Sequence, residues 1–217
     1  TQMQLFVASL AARQRLEPVP EGGYQGQYIG DWATEIPDGA DLLEWGEARA
    51  VEDHRETLAQ MNVHFDHWFS ERSMVESGAI DVTLADLRER GMVYDSDGAV
   101  WLRSTDYGDD KDRVLVKSDG EFTYLLPDIA YHRDKFARGF DLLVDVWGAD
   151  HHGYVPRMKA AMQALGHDPA EMAFPIIQLV NLVKDGRPVR FSKRTGNFVE
   201  LADVPDRHLR EPWLMTE

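Results

Sequence analysis

Three short stretches of this chain hold residues whose types and spacing can do chemistry. In "GRPVRFSKRTGN", residues 186–197, Arg187, Arg190, Lys193 and Arg194 fall within eight positions, flanked by glycines. A lysine and several backbone donors on a glycine-bounded loop can gather around a polyphosphate. If a reaction expels pyrophosphate, charge grows on its oxygens, and a movable ammonium stabilises that charge in the transition state. Ser192 can help hold such a loop by hydrogen bonding. The plain alternative is a solvated basic loop.

In "WGADHHGY", residues 147–154, Gly148 allows a sharp turn or the close approach of a ligand. Asp150 can accept hydrogen bonds from a ribose diol, as acidic residues do in nucleotide folds. His151 and His152 can act as ligands, bases or donors. Against this stands a turn whose Asp merely caps the next helix. A metal reading is also open. Asp-His-His at a strand end is similar to the manganese-binding DHH phosphoesterases, with Asp95 and Asp97 as a further carboxylate pair. In "TYLLPDIAYH", Tyr124 and Asp128 stand four apart, on one face if both are helical. A phenol and a carboxylate so placed can bind a cation. The commoner arrangement is a buried Tyr beside a surface Asp.

These stretches need a scaffold, and the flanking sequence supplies one. "FDLLVDVW" (140–147) is an apolar run of strand length, the kind buried on both faces of a parallel sheet. "RMKAAMQALG" reads as a helix closed by Gly166, and "FPIIQLVNLV" (174–183) as a second buried strand. Strand, helix and strand in about 40 residues make a βαβ crossover. Ligands in open α/β sheets sit at the carboxyl ends of strands, where both "GADHHG" and the basic loop fall. Upstream, "TYLLPDIAYHRDKFARG" is a helix beginning near Pro127 and ending at Gly139. "GMVYDSDGAVWLRS" is a hairpin about Asp-Ser-Asp-Gly, and "RVLVK" adds a strand. "VTLADLRERG" reads as a helix opening at Thr83 and stopped by Gly91. "NVHFDHWFSERSM" reads as a strand running into a helix, and residues 1–60 as mainly helical.

Composition sets the bounds. Of 217 residues, 43% are apolar, enough to build a core and so against wholesale disorder. With no cysteine, disulfides, thiolate zinc sites and cysteine nucleophiles are excluded, and a reducing cytoplasm fits. No apolar run approaches the roughly 18 residues a membrane span needs. A net charge of −15 argues against broad coating by nucleic acid but not against a local anion site. The chain does not open on Met, and is expected to begin inside a longer protein.

The three segments, in this order, resemble the catalytic domain of class I arginyl-tRNA synthetases of the bacterial type. Arg190-Phe191-Ser192-Lys193-Arg194 is similar to the signature Lys-Met-Ser-Lys-Ser. "VWGADHHGYVPRMKAAMQALG" and "LVNLVKDGRPVRFSKRTGNFV" look like long, nearly continuous matches, and the resemblance covers roughly residues 1–203. It implies an α/β fold: the second half of a Rossmann-like parallel sheet, with helical and hairpin insertions. The implied organisation is a helical insertion over 1–60, the sheet domain over 61–203 with a hairpin insertion near 91–118, and a tail over 204–217 unlike the family.

The implied function is activation of L-arginine with Mg-ATP and its transfer to tRNA(Arg), in the cytoplasm, by a monomer. Residue by residue, Lys193 would stabilise the leaving pyrophosphate, with Arg190 in the place of the signature's first lysine. Arginine keeps that charge but presents a planar fork. Gly148 and Asp150 would sit against the ATP ribose, and Phe191 and Ser192 would belong to the ATP-binding loop. Asp128 would bind the guanidinium, Tyr124 would pack on the substrate, and His151 would stand near it. No resident metal is expected. The family's His-x-Gly-His element and helical anticodon domain do not appear, so a fragment inactive by itself is expected. The reading from another class is a non-catalytic nucleotide- or RNA-binding module on the same sheet.

Overall fold

In this computed structural model, residues 2–178, the backbone of 183–184 and 187–188, and Leu201 are described. The chain divides into two compact units, residues 1–67 with 181–217, and residues 68–180.

The described part of the first unit is helical: α1 (Gln2–Gln14), α2 (Gln27–Glu35) and α3 (Leu42–Gln60). Helix α1 packs on both others around Phe6, Leu10, Ile29 and Trp32. The start of α3 is set by Asp41, whose Oδ1 accepts from the amides of Leu43 and Glu44, both at 2.9 Å. Gly46 is where α3 meets α1: a Cβ there would lie 2.8 Å from Phe6 and 2.9 Å from Leu10.

The second unit contains Tyr124, Asp128, Gly148, Asp150 and His151. It opens with α4 (Glu71–Glu76) and α5 (Ala79–Glu89). Strands β1 (Val93–Ser96), β2 (Ala99–Leu102) and β3 (Arg113–Val116) follow as an antiparallel meander. The hairpin expected about Asp-Ser-Asp-Gly forms, but Asp95 and Ser96 belong to β1 and only Asp97 and Gly98 make the turn. Asp97 and Gly98 take φ of 52° and 75°, the left-handed pair that matches the twist of a hairpin. Next come α6 (Leu125–Ala137), β4 (Leu143–Val144), β5 (Trp147–Gly148), α7 (Val155–Ala164), β6 (Met172–Ala173) and β7 (Ile176–Ile177). Strands β4 and β6 pair in parallel, as do β5 and β7, with α7 as the crossover between them. That is the predicted βαβ unit, and the fold is α/β, as read from the sequence. Leu126, Ile129, Met158 and Met162 are fully buried where α6 and α7 enter the core.

Four expectations need correction. The strand read within "NVHFDHWFSERSM" is absent; only its end is regular, as α4. Helix α5 opens at Ala79, behind Gly78, not at Thr83. Thr83 is instead buried in the helix, where its hydroxyl donates to the Ala79 carbonyl at 2.8 Å. The run 140–147 is not buried on both faces. Phe140, Leu142, Val144 and Val146 are each more than half exposed while Leu143 is buried, which is the period-2 signature of one covered face. Finally, 174–183 is not one strand. β7 ends at Ile177, and Val183–Lys184 (β8) pairs antiparallel with Arg187–Pro188 (β9), the latter lying inside the basic stretch 186–197.

Candidate active site at the head of α6

The site is built where the first turn of α6 meets the turn that follows β5. Asp128 lies in the first turn of α6, where the helix dipole favours a carboxylate. The 3₁₀ helix Ala149–Tyr154 leads from β5 into α7 and delivers Tyr154 to Asp128. The Tyr154 hydroxyl donates to Asp128 Oδ2 at 2.9 Å. Burial pushes the Tyr154 phenol well above the usual phenol range, and the neighbouring Asp128 carboxylate pushes it further. The phenol therefore stays a neutral donor at physiological pH.

Tyr124 immediately precedes α6, and its side chain is 90% exposed. Asp128 is the half-buried member of the pair and carries the hydrogen bond. The commoner arrangement, buried Tyr and surface Asp, is thus reversed. Tyr124 and Asp128 are joined through their backbones, the Asp128 amide donating to the Tyr124 carbonyl at 3.3 Å.

A second layer holds this head in place. His132 stands one turn below Asp128, and its Nδ1 lies 2.7 Å from the Asp128 main-chain oxygen. A carbonyl oxygen only accepts, so Nδ1 carries the hydrogen and donates. Its Nε2 lies 2.7 Å from Asp145 Oδ2, and Lys135 Nζ donates to Asp145 Oδ1. Burial alone would raise the Asp145 carboxyl; the hydrogen bonds from His132 and Lys135 outweigh it and hold the group below the usual carboxylate range. The Asp145 amide in turn donates to Ala173 O at 2.9 Å. The parallel strands thus fix α6, and α6 fixes Asp128.

On the other side, Gly148 ends β5 with φ −70° and ψ 158°, so positive φ is not its purpose. Its lack of a side chain is. A Cβ there would lie 2.7 Å from Asp150 Oδ1, because the Asp150 carboxylate folds back over the glycine. That carboxylate is 69% exposed and caps neither the 3₁₀ helix nor α7. The capping alternative for Asp150 is therefore set aside. His151 is also exposed, with Nε2 3.6 Å from Asp150 Oδ2 and its ring 6.2 Å from that of Trp147.

The metal reading finds no support in these contacts. Asp95 is held by both terminal nitrogens of Arg88 at 2.9 Å, and Asp97 belongs to the hairpin turn. Among the described residues no three His, Asp or Glu side chains converge as a metal site would require. Arg190, Phe191, Ser192 and Lys193 lie outside the described residues.

Sequence reasoning missed Tyr154, His132 and Asp145. Two of them left a signal. Asp145 is a charge inside an apolar strand run, which demands a partner. His132 stands four residues after Asp128 on the same helix. Nothing in the chain's spacing joins Tyr154 to Asp128, 26 positions away.

Comparison with known proteins shows the family. Residues 46–213 match the model of the family described as tRNA synthetases class I (R), catalytic domain. An arginine–tRNA ligase of Geobacillus kaustophilus is 50% identical over 201 residues, covering 86% of this chain and 36% of the relative. One from Bacillus subtilis is 50% identical over 202 residues, covering 87% and 36%. The chain thus spans little more than a third of these relatives. A Campylobacter jejuni crystal structure titled as an arginyl tRNA synthetase superposes with a TM-score of 0.81 at 36% identity, over 94% of this chain and 49% of that one. The Thermus thermophilus arginyl-tRNA synthetase shares the fold, with a TM-score of 0.61 at 18% identity over 84% of this chain and 41% of that one. The chain belongs to the family of class I tRNA synthetase catalytic domains of the arginine type.

Proposed function

We propose that the polypeptide carrying this chain is an arginine–tRNA ligase. In the first step a carboxylate oxygen of L-arginine attacks the α-phosphorus of Mg-ATP, forming arginyl-adenylate and expelling pyrophosphate. In the second, a ribose hydroxyl at the end of tRNA(Arg) attacks the arginyl carbonyl and AMP leaves. The reaction takes place in the cytoplasm, and the enzyme acts as a monomer.

Asp128 receives the guanidinium of the substrate. It is well suited to do so: Tyr154 occupies Oδ2, and among the described residues Oδ1 remains to accept from a ligand N–H. Tyr124 offers its exposed ring to the same cation, as aromatic faces do. His151 lies on the substrate side of the turn. Gly148 and Asp150 take the ATP ribose, the glycine giving room and the exposed carboxylate accepting from the diol. Phe191 and Ser192 belong to the loop over ATP. Lys193 neutralises charge on the departing pyrophosphate, with Arg190 assisting through its fork. The magnesium belongs to the ATP as substrate, shielding its phosphates.

One observation carries this reading above the others: Asp128, tethered by Tyr154 at the head of α6, in a chain half identical to an arginine–tRNA ligase over most of its length. The test is ATP–pyrophosphate exchange by the full-length enzyme with each amino acid in turn. Exchange with arginine alone is expected. Exchange driven by another amino acid, or by none, would refute the assignment.

A further inference from the structure

Arg157 sits oddly for a residue in the first turn of a helix. The dipole at the N-terminus of α7 disfavours a cation there. Its Nε is buried without a hydrogen-bond partner among the described residues. Its guanidinium lies over the Tyr154 ring, with Cζ 4.7 Å from the centroid. The same ring carries the hydroxyl bonded to Asp128, and Arg157 is near enough to act on that hydroxyl too. One aromatic residue therefore engages both a carboxylate suited to a guanidinium and a guanidinium that belongs to the protein.

An intramolecular rival of this kind is formidable. A side chain tethered a few ångströms away acts at an effective concentration of roughly millimolar or more. If it occupied Asp128 about 99% of the time, the apparent affinity for a free ligand would fall about 100-fold. We propose that Tyr154 is a specificity-determining residue that keeps Arg157 off Asp128, so that the carboxylate stays open to a free guanidinium. Tyr154 does this in two ways. Its face holds Arg157 by a cation–π contact, and its hydroxyl takes the Asp128 oxygen nearest to it. Its ring is itself braced by Trp147, edge to face at 5.7 Å. The inference rests on Asp128 being the guanidinium site.

The full-length enzyme tests it through the KM for arginine in ATP–pyrophosphate exchange. Tyr154→Phe keeps the ring face that holds Arg157 and loses the hydrogen bond to Asp128, so KM is expected to rise about tenfold. Tyr154→Ala removes both, and KM is expected to rise roughly 100-fold or more, with kcat changed less. In Tyr154→Ala/Arg157→Ala the rival is gone, and KM is expected to return to near the Tyr154→Phe value. Should Tyr154→Ala lower the melting temperature too far for assay, Tyr154→Leu retains bulk against Trp147 and the same rescue is expected. Equal KM values for the Phe and Ala variants, or a double variant no better than the single, would overturn the proposal. Asp128→Asn separates the two layers of argument. If it leaves KM unchanged, the guanidinium site is wrongly placed. If it raises KM while Arg157→Ala rescues nothing, only the role of Tyr154 as a barrier fails.

Discussion

Tyr154 and Asp128, 26 residues apart, meet through a 2.9 Å hydrogen bond that joins the turn after β5 to the head of α6. Behind it, His132 grips the Asp128 main chain and passes the restraint to Asp145 on the strand side. A carboxylate held at both its side chain and its backbone needs little reordering to bind a ligand. Loss of the charge should therefore appear as loss of binding.

Asp128→Asn in the full-length enzyme is expected to raise the KM for arginine about 10- to 150-fold, the range for a hydrogen bond to a charged group. Steady-state ATP–pyrophosphate exchange against arginine concentration measures it. An unaltered KM would remove Asp128 from the pocket.

Lys193→Ala is expected to slow adenylate formation by about 10²- to 10³-fold, the usual cost of one lost transition-state donor. Single-turnover formation of arginyl-adenylate, followed by quench, isolates that step. A rate equal to that of the parent enzyme would deny the lysine its role.

Gly148→Ala should displace the Asp150 carboxylate, since the new methyl would sit 2.7 Å from Oδ1. That oxygen ends a flexible, exposed side chain, so stability should change by less than about 0.5 kcal/mol, as for an ordinary surface change. The KM for ATP should nevertheless rise, by about tenfold for one weakened hydrogen bond. Thermal melts and ATP titrations separate the two effects. A large drop in melting temperature with unchanged ATP dependence would contradict this account.

Asp145→Asn should destabilise the chain by about 3–5 kcal/mol near neutral pH, because it strips a buried network of its anion. The sign of the pH effect follows from the lowered carboxyl. A group depressed on folding contributes stability above its unfolded value, about 3.9, and loses it as pH falls through the folded value. Urea unfolding of parent and variant should therefore show a gap that is full near pH 7 and closes below about pH 4. A gap constant down to acid pH would mean that the His132–Asp145–Lys135 contacts do not stabilise the fold electrostatically.

Much of this was written locally. The Asp97-Gly98 turn, the Gly139 and Gly166 helix stops and the βαβ spacing follow from residues within one or two turns of each other, so the chain alone determined them. Gly148, Asp150, Tyr124 and Asp128 were legible as candidates for the same reason: their types and intervals suit a nucleotide and a cation. Tertiary structure decided the rest. Whether Tyr124 or Asp128 would be the buried partner, which face of 140–147 would be covered, and that Tyr154 would reach Asp128 all depend on how α6 docks against the turn after β5. That docking is set by burial of residues such as Leu126, Ile129 and Met158, and burial is non-directional. A side-chain pattern shows that a face will be buried; only packing chooses what it meets.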